Sequence, residues 1–246
     1  MTIARSLLYA LANLLHPRML WLIVWPMLIS LGLWSVVALL LWARIAVWLG
    51  GVLEQWLESA TFFLRLDFGG ATLVAAHVLI FLFFVPLIYL TVLFILGVFG
   101  MPSMVEHVAG RAYPQLARRR GGSFAGSVAN GVVALVGLVL LGVVSLPLWI
   151  FPPLWPLLPV AILGWVNQRV LRYDALAEHA DAGEMARLFR EQRGPLYLLG
   201  IVLALVAYVP PIGFFAPVLF GLTFIHYLLA ALRELREAPI AGTSVT

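Results

Sequence analysis

The chain carries 15 arginines, 11 carboxylates and five histidines, with no lysine and no cysteine. Without cysteine there is no disulfide, no thiolate metal site and no thiol nucleophile. His16, His77, His107, His179 and His226 show none of the i,i+3 or i,i+4 pairing that holds a metal. H-E-x-x-H, G-x-S-x-G, G-x-G-x-x-G and the phosphate-loop pattern are all missing. The expectation is a non-enzyme with no catalytic residues, no cofactor and no metal. What remains are polar residues at the margins of long apolar stretches, where an ionisable group marks either a structural pair or a solute path. Glu106 is the first of these. It follows Pro102 by one turn and has Arg111 five residues on. It suits a structural ion pair with Arg111 or Arg169, or a gate. Arg18, Arg111, Asn130, Asn167, Arg169 and His226 complete the candidates for a solute pathway or its gating. Asn130 and Asn167 flank one apolar stretch and serve either as structural hydrogen-bonders, Asn130 at a frayed helix start, or as ligand contacts. His226 lies inside another stretch, where a buried imidazole needs a partner. The Glu106-His107 and Glu178-His179 dipeptides read as solvated juxtamembrane charge.

These residues are positioned by four stretches with no charge at all, at 19–43, 68–105, 121–168 and 194–232. The chain is 63% apolar and only 11% charged, against about 25% charged in soluble domains. A charge at the bilayer centre is costly, so long uncharged apolar runs are what lipid selects. The chain is therefore an integral membrane protein, read as a single membrane domain over 1–246 with no role for nucleic acid. Residues 1–18 suit a short interfacial helix. The run 19–43 gives a first span of roughly 37 Å, with Pro26 tolerated as a kink. Residues 44–67 read as a loop with part of it on the membrane surface. Residues 70–100 give a second, overlong span of roughly 46 Å, kinked at Pro86.

The last two runs differ. Residues 131–168 and 196–232 each carry Pro-Pro near the middle, at 152–153 and 210–211. Adjacent prolines remove two donors and break a helix. Both runs are read as short-armed helical hairpins that penetrate part of the bilayer. The first arm of the second, 196–209, reaches only roughly 21 Å. The fold expected is thus all-α, with two long transmembrane helices and two Pro-Pro-tipped hairpins. Between the hairpins, Arg187 and Glu191 suit an i,i+4 pair, and Met185, Leu188, Phe189 and Gln192 a packed face. If both hairpins return to their starting side, 13 of 15 arginines share one face, all but Arg44 and Arg65. The positive-inside rule makes that face cytoplasmic, with both termini inside. The Arg118-Arg119-Arg120 patch reads as a topology determinant that touches anionic lipid, or as a recruiter of an anionic solute.

Three stretches carry a family likeness: HPRMLWLIVWP (16–26), GMPSMVEHVAG (100–110) and WVNQRVLRYDALAEHADAGEMARLFREQRGPLYLLG (165–200). They resemble the etoposide-induced-2.4 family, which includes the CysZ-type sulfate permeases of bacteria. The resemblance covers most of residues 10–236. It implies a bacterial inner-membrane protein with two long spans and two partly crossing hairpins, anion conduction, and homo-oligomeric assembly. It carries Glu106 over as the family's Glu. The permeases place an arginine cluster, which resembles a sulfate-binding element, just after the proline that leads the first span. Here Pro17 is followed by Arg18, Met19, Leu20 and Trp21. The function expected is a permease or channel-like protein for a small anion, sulfate among the candidates. The alternative is a non-transporting scaffold or membrane-homeostasis protein of the same family.

Overall fold

The structure is a computed structural model that describes residues 2–60 and 69–237. All regular structure among the described residues is helical. In chain order the helices are α1 (Ile3–Leu14), α2 (Pro17–Ala60), α3 (Gly69–Ile95), α4 (Met101–Ala112), α5 (Phe124–Ser145), α6 (Leu157–Leu176), α7 (Ala182–Glu191), α8 (Arg193–Val206) and α9 (Pro210–Glu237). They pack as two units, one of residues 22–97 and one formed by the residues up to 21 with those from 98 onward.

The smaller unit is an antiparallel pair. α2 has 44 residues, about 66 Å of helix. It passes through Pro26 without a break and continues past Arg44 to Ala60, so residues 44–60 are helical rather than loop. Nothing between Arg44 and Ala60 stops a helix except Gly50-Gly51, and glycine in a helix costs only about 1 kcal/mol. Arg65 and Asp67 of the expected loop lie outside the described residues, as does the Pro86 side chain. Polar side chains tie α2 to α3. Ser30 Oγ donates to the Ile88 carbonyl at 2.8 Å, and Trp34 Nε1 donates to Thr91 Oγ1 at 3.0 Å. Trp34 and Trp42 both meet the edge of Phe84. In an apolar surrounding such cross-helix bonds orient a pair that hydrophobicity alone would not.

α3 reaches α4 through a π-helical stretch, Leu96–Gly100. Pro102 sits in the first turn of α4, where its missing N–H costs little. The helical run thus does not stop at residue 100; it passes through the π-helical stretch and continues as α4.

The larger unit is built around α9. This helix is apolar and long enough to cross a membrane, yet most of it is enclosed by protein. Leu219, Leu222, Phe224, Ile225, Leu228 and Leu232 are fully buried, and α1, α4, α6 and α8 all pack on it. α5 is the opposite case. It too is long enough to cross, but Val132, Leu135, Val136, Val139, Leu140 and Val143 are exposed. Such a continuous apolar surface needs lipid to cover it. α2, α5 and α9 meet the length and composition of a membrane span, which makes this a multi-pass membrane protein.

Both hairpins form. α5 and α6 are joined by 3₁₀ turns at Leu146–Ile150 and Pro152–Leu154. α5 has 22 residues, about 33 Å, and so is longer than a short arm. α8 has 14 residues, about 21 Å, the length expected for the short arm. Its partner α9 begins at Pro210 itself. The proline pair there starts a helix instead of forming the turn, because the first turn has no intrahelical use for those N–H groups. α6 and α8 cross at glycines: a Cβ on Gly200 would lie 2.2 Å from the Gly164 carbonyl oxygen. Backbones approach this closely only where no side chain intervenes.

Candidate functional site

α1 supplies the first part of the site. Thr2 caps it, and Ser6, Ala10 and Leu14 form its buried stripe against α9. Tyr9 and Asn13, one turn apart, flank that stripe and reach His226. The Asn13 amide donates to the Tyr9 carbonyl at 2.9 Å and lies 3.1 Å from His226 Nε2. An amide nitrogen only donates, so Nε2 is the accepting nitrogen of the imidazole. The Tyr9 ring stacks on His226 with centroids 5.8 Å apart. Tyr113, which caps the end of α4, donates its hydroxyl to the His226 carbonyl at 3.1 Å. Burial pushes the Tyr113 phenol up from its ordinary value, so it remains a donor. The buried histidine thus has its partner, and that partner comes from residue 13.

Two cavities meet at His226. One, of about 450 Å³, is lined by Arg5, Tyr9, Tyr113, His226, Arg233 and Glu234. The other, of about 520 Å³, is lined by Asn13, His16, Val108, Arg111 and His226 among others. No salt bridge joins Arg5 or Arg111 to a carboxylate among the described residues. Arg233 lies 5.7 Å over the Tyr113 ring and makes a long, exposed contact with Glu237 at 3.7 Å. Beside the second cavity the His16 and His107 rings are 4.7 Å apart. Burial lowers the His107 pKa first, and His16, Arg111 and Arg18 lower it further. His107 Nε2 is buried without a partner among the described residues. The chemistry on offer is hydrogen-bond donation and positive charge around a half-enclosed space, suited to a small anion.

The structure divides the candidate residues. Arg111 and His226 line the cavities, and Arg18 is close to them through His107. Asn130 and Arg169 lie elsewhere, between α5 and α6, where Asn130 Nδ2 donates to the Arg169 carbonyl at 2.7 Å. α5 starts at Phe124, capped by Ser123, so Asn130 is inside the helix and not at its start. Asn167 is half-buried on α6. Glu106 is exposed on α4, and no salt bridge to Arg111 or Arg169 forms among the described residues. Each Glu-His dipeptide turns its histidine inward, and His179 is 2% exposed. That corrects the expectation of two solvated pairs. Neighbours on a helix or turn point to different faces, so a charged residue outside says nothing of the next one.

A charged knot holds the ends of the larger unit. Asp181 and Glu184 form a capping box at the start of α7. Glu184 accepts from Arg236 through both oxygens at 2.8 Å and from Arg119 at 2.9 Å. Arg236 also donates to the Ala117 and His179 carbonyls. Arg119 binds Asp181 at 2.9 Å as well. The Arg118–Arg120 patch is thus partly spent on carboxylates of this chain. Its last residue adopts φ 49°, which lets Arg120, Gly121 and Gly122 donate to carbonyls of 177–180. The Arg187–Glu191 pair forms at 2.7 Å, and Met185 and Leu188 are buried, as their spacing predicts.

Arg5, Tyr9, Asn13, Tyr113 and Arg233 are site residues that sequence reading missed. The available signal in α1 was the polar line Arg5, Ser6, Tyr9, Asn13 on an otherwise apolar helix.

The sequence profile of a family described as sulfate transporter CysZ/etoposide-induced protein 2.4 matches residues 6–217. No curated protein and no solved structure gives a significant match.

Proposed function

The chain belongs to the sulfate transporter CysZ/etoposide-induced protein 2.4 family, and from that premise we propose that it is a permease for a small oxyanion in a bacterial inner membrane. The single observation that carries the reading is the pair of cavities at His226, lined by Arg5, Arg111 and Arg233 with Glu234 beside Arg5 and Arg233 in the first. An oxyanion leaving water must have its hydration replaced by charge and donors. Arg5 and Arg111 supply charge that no carboxylate among the described residues pairs in a salt bridge. The Asn13 amide and the Tyr113 hydroxyl are committed to Tyr9 and His226, so they hold the lining in place and leave the anion to the arginines. The arginine-rich face is cytoplasmic in this reading, with both termini inside, so the cavities form the cytoplasmic vestibule. The pathway runs passively, because no carboxylate lies within the apolar runs to couple protons. Homo-oligomeric assembly is part of the proposal, and α5 carries the apolar face that lipid or a second copy would cover.

Sulfate flux into proteoliposomes tests this. Wild type should exceed empty vesicles, and Arg111→Gln should reduce flux about tenfold, the worth of one charge-assisted bond. Flux equal to that of empty vesicles would favour the second reading, a non-transporting membrane scaffold. One observation supports that reading: Leu20 and Trp21, where the family resemblance implies arginine, are exposed apolar side chains.

A further inference from the structure

A second group of arginines lies away from the cavities, where the charged end of α6 meets α7 and the start of α8. Arg169 and Arg172 are one turn apart on α6 and so share a face. Both are half-buried. The Nε of each is buried and has no hydrogen-bond partner among the described residues. No carboxylate lies within salt-bridge distance of Arg169, Arg172 or Arg193 among the described residues. The neighbouring acid, Asp174, is engaged by Ser127 Oγ at 2.7 Å. Arg172 is nevertheless held in place: Nη1 donates to Gln168 Oε1 at 3.1 Å, and its Cζ lies 4.6 Å over the Phe189 ring. A guanidinium fixed by one amide and one aromatic face still has donors left over, and Arg172 Nε has no partner among the described residues.

This chain pairs a buried arginine when pairing is its purpose. Arg236 has both oxygens of Glu184 and two carbonyls. Clustering cations with no counter-charge is unfavourable, because burial and like-charge repulsion act together. Both act here: burial lowers the Arg172 pKa to about 10, with Arg169 and then Arg193 contributing. Arg172 lies beyond the apolar run that ends at residue 168, and at neutral pH it still carries its charge.

We propose that Arg169, Arg172 and Arg193 form a binding site for a tetrahedral oxyanion, a sulfate or phosphate group that bridges the guanidinium groups of α6 and α8. A tetrahedral group offers separate oxygens to separate arginines, and guanidinium is the side chain whose donor fork fits it. Two sources share this chemistry: a free inorganic anion, and the phosphate of an anionic lipid, since the cluster sits where an apolar helix run gives way to charge. The site goes beyond the permease reading and does not require conduction, because binding can be measured with no gradient.

The full-length protein in non-ionic detergent is titrated with sodium sulfate or sodium phosphate, against sodium chloride at matched ionic strength, with unfolding followed by tryptophan fluorescence. In parallel, delipidated protein is titrated with phosphatidylglycerol or phosphatidylcholine. Sulfate or phosphate raising Tm above chloride assigns a free oxyanion, and a response confined to phosphatidylglycerol assigns the lipid phosphate. Arg169→Gln and Arg172→Gln should each weaken the response about tenfold or more. Arg187→Gln, already paired with Glu191, should leave it intact. Should Arg172→Gln fail to fold, Arg193→Gln replaces an exposed residue and should still weaken binding several-fold. A wild type indifferent to sulfate, phosphate and phosphatidylglycerol alike overturns the site. So does unaltered binding by Arg169→Gln and Arg193→Gln. Loss of flux with binding intact would count against the permease alone.

Discussion

Replacing Gly200 by alanine should separate two helices that now touch backbone to backbone. The added Cβ would stand 2.2 Å from the Gly164 carbonyl oxygen, 3.0 Å from its carbonyl carbon and 3.2 Å from its Cα. All three are backbone atoms, so no side chain can rotate away. The helices must part by roughly 1 Å, and a gap of 0.5–1 Å forfeits a quarter to a half of each contact's attraction. Overpacking of this kind costs about 1–3 kcal/mol. Alanine recovers about 0.5–1 kcal/mol of helix propensity, so the net destabilisation should be about 1–2 kcal/mol. The Tyr197 hydroxyl bond to the Ala161 carbonyl, 3.2 Å long across the same interface, should weaken with it. Gly142 is the control, since nothing lies within 4 Å of the Cβ it would gain; Gly142→Ala should be neutral or stabilising. Thermal unfolding of both variants in detergent reads the difference. Gly200→Ala melting at or above wild type would refute the backbone crossing.

Glu106→Gln should melt within about 0.5 kcal/mol of wild type, because an exposed acid with no ion pair among the described residues has little to lose; a large drop would mean a buried partner. Glu184→Gln should cost about 1–3 kcal/mol, since the neutral amide leaves a mostly buried Arg236 without its counter-charge. Acid should act on the same knot. Arg236 above all, and the Asp181 backbone N–H, hold Glu184 below its ordinary 4.5, and the Glu184 N–H and Arg119 hold Asp181 below 3.8. Groups with depressed pKa values stabilise the fold above their unfolded values and lose that stabilisation as pH falls through the folded ones. Tm should therefore decline as pH drops below about 4.5, and less steeply in Glu184→Gln. Asn13→Leu strips His226 Nε2 of its donor and should cost about 1–3 kcal/mol, with much of it restored in the Asn13→Leu, His226→Leu double variant. Additive losses in that cycle would show that the two do not interact.

The membrane character, the helical class and both hairpins were legible because each follows from a one-dimensional pattern. Charge-free runs and proline pairs need no knowledge of neighbours. The 14-residue arm was legible for the same reason. The end of α2 was not: Arg44 was read as the margin of a span, but a charge limits what lipid will cover without stopping a helix. The site was half legible. Arg111 and His226 stood out as polar residues at apolar margins, but Asn13 and His226 are 213 residues apart, and no local pattern predicts that meeting. Arg119 was read as facing lipid because its carboxylates lie on α7. The exposure of Glu106 was equally out of reach, since it depends on which face of α4 turns toward α9.

The enclosure of α9 has a consequence for how the chain is made. It is the last of the described helices to be synthesised, yet α1, α4, α6 and α8 rest on it. Until it arrives those helices have no common partner, and the stripe Ser6, Ala10 and Leu14 of α1 lacks the surface it will cover. The larger unit therefore closes late, with α1 waiting for α9. Truncation within α9 should leave the buried stripe of α1 without the surface that covers it.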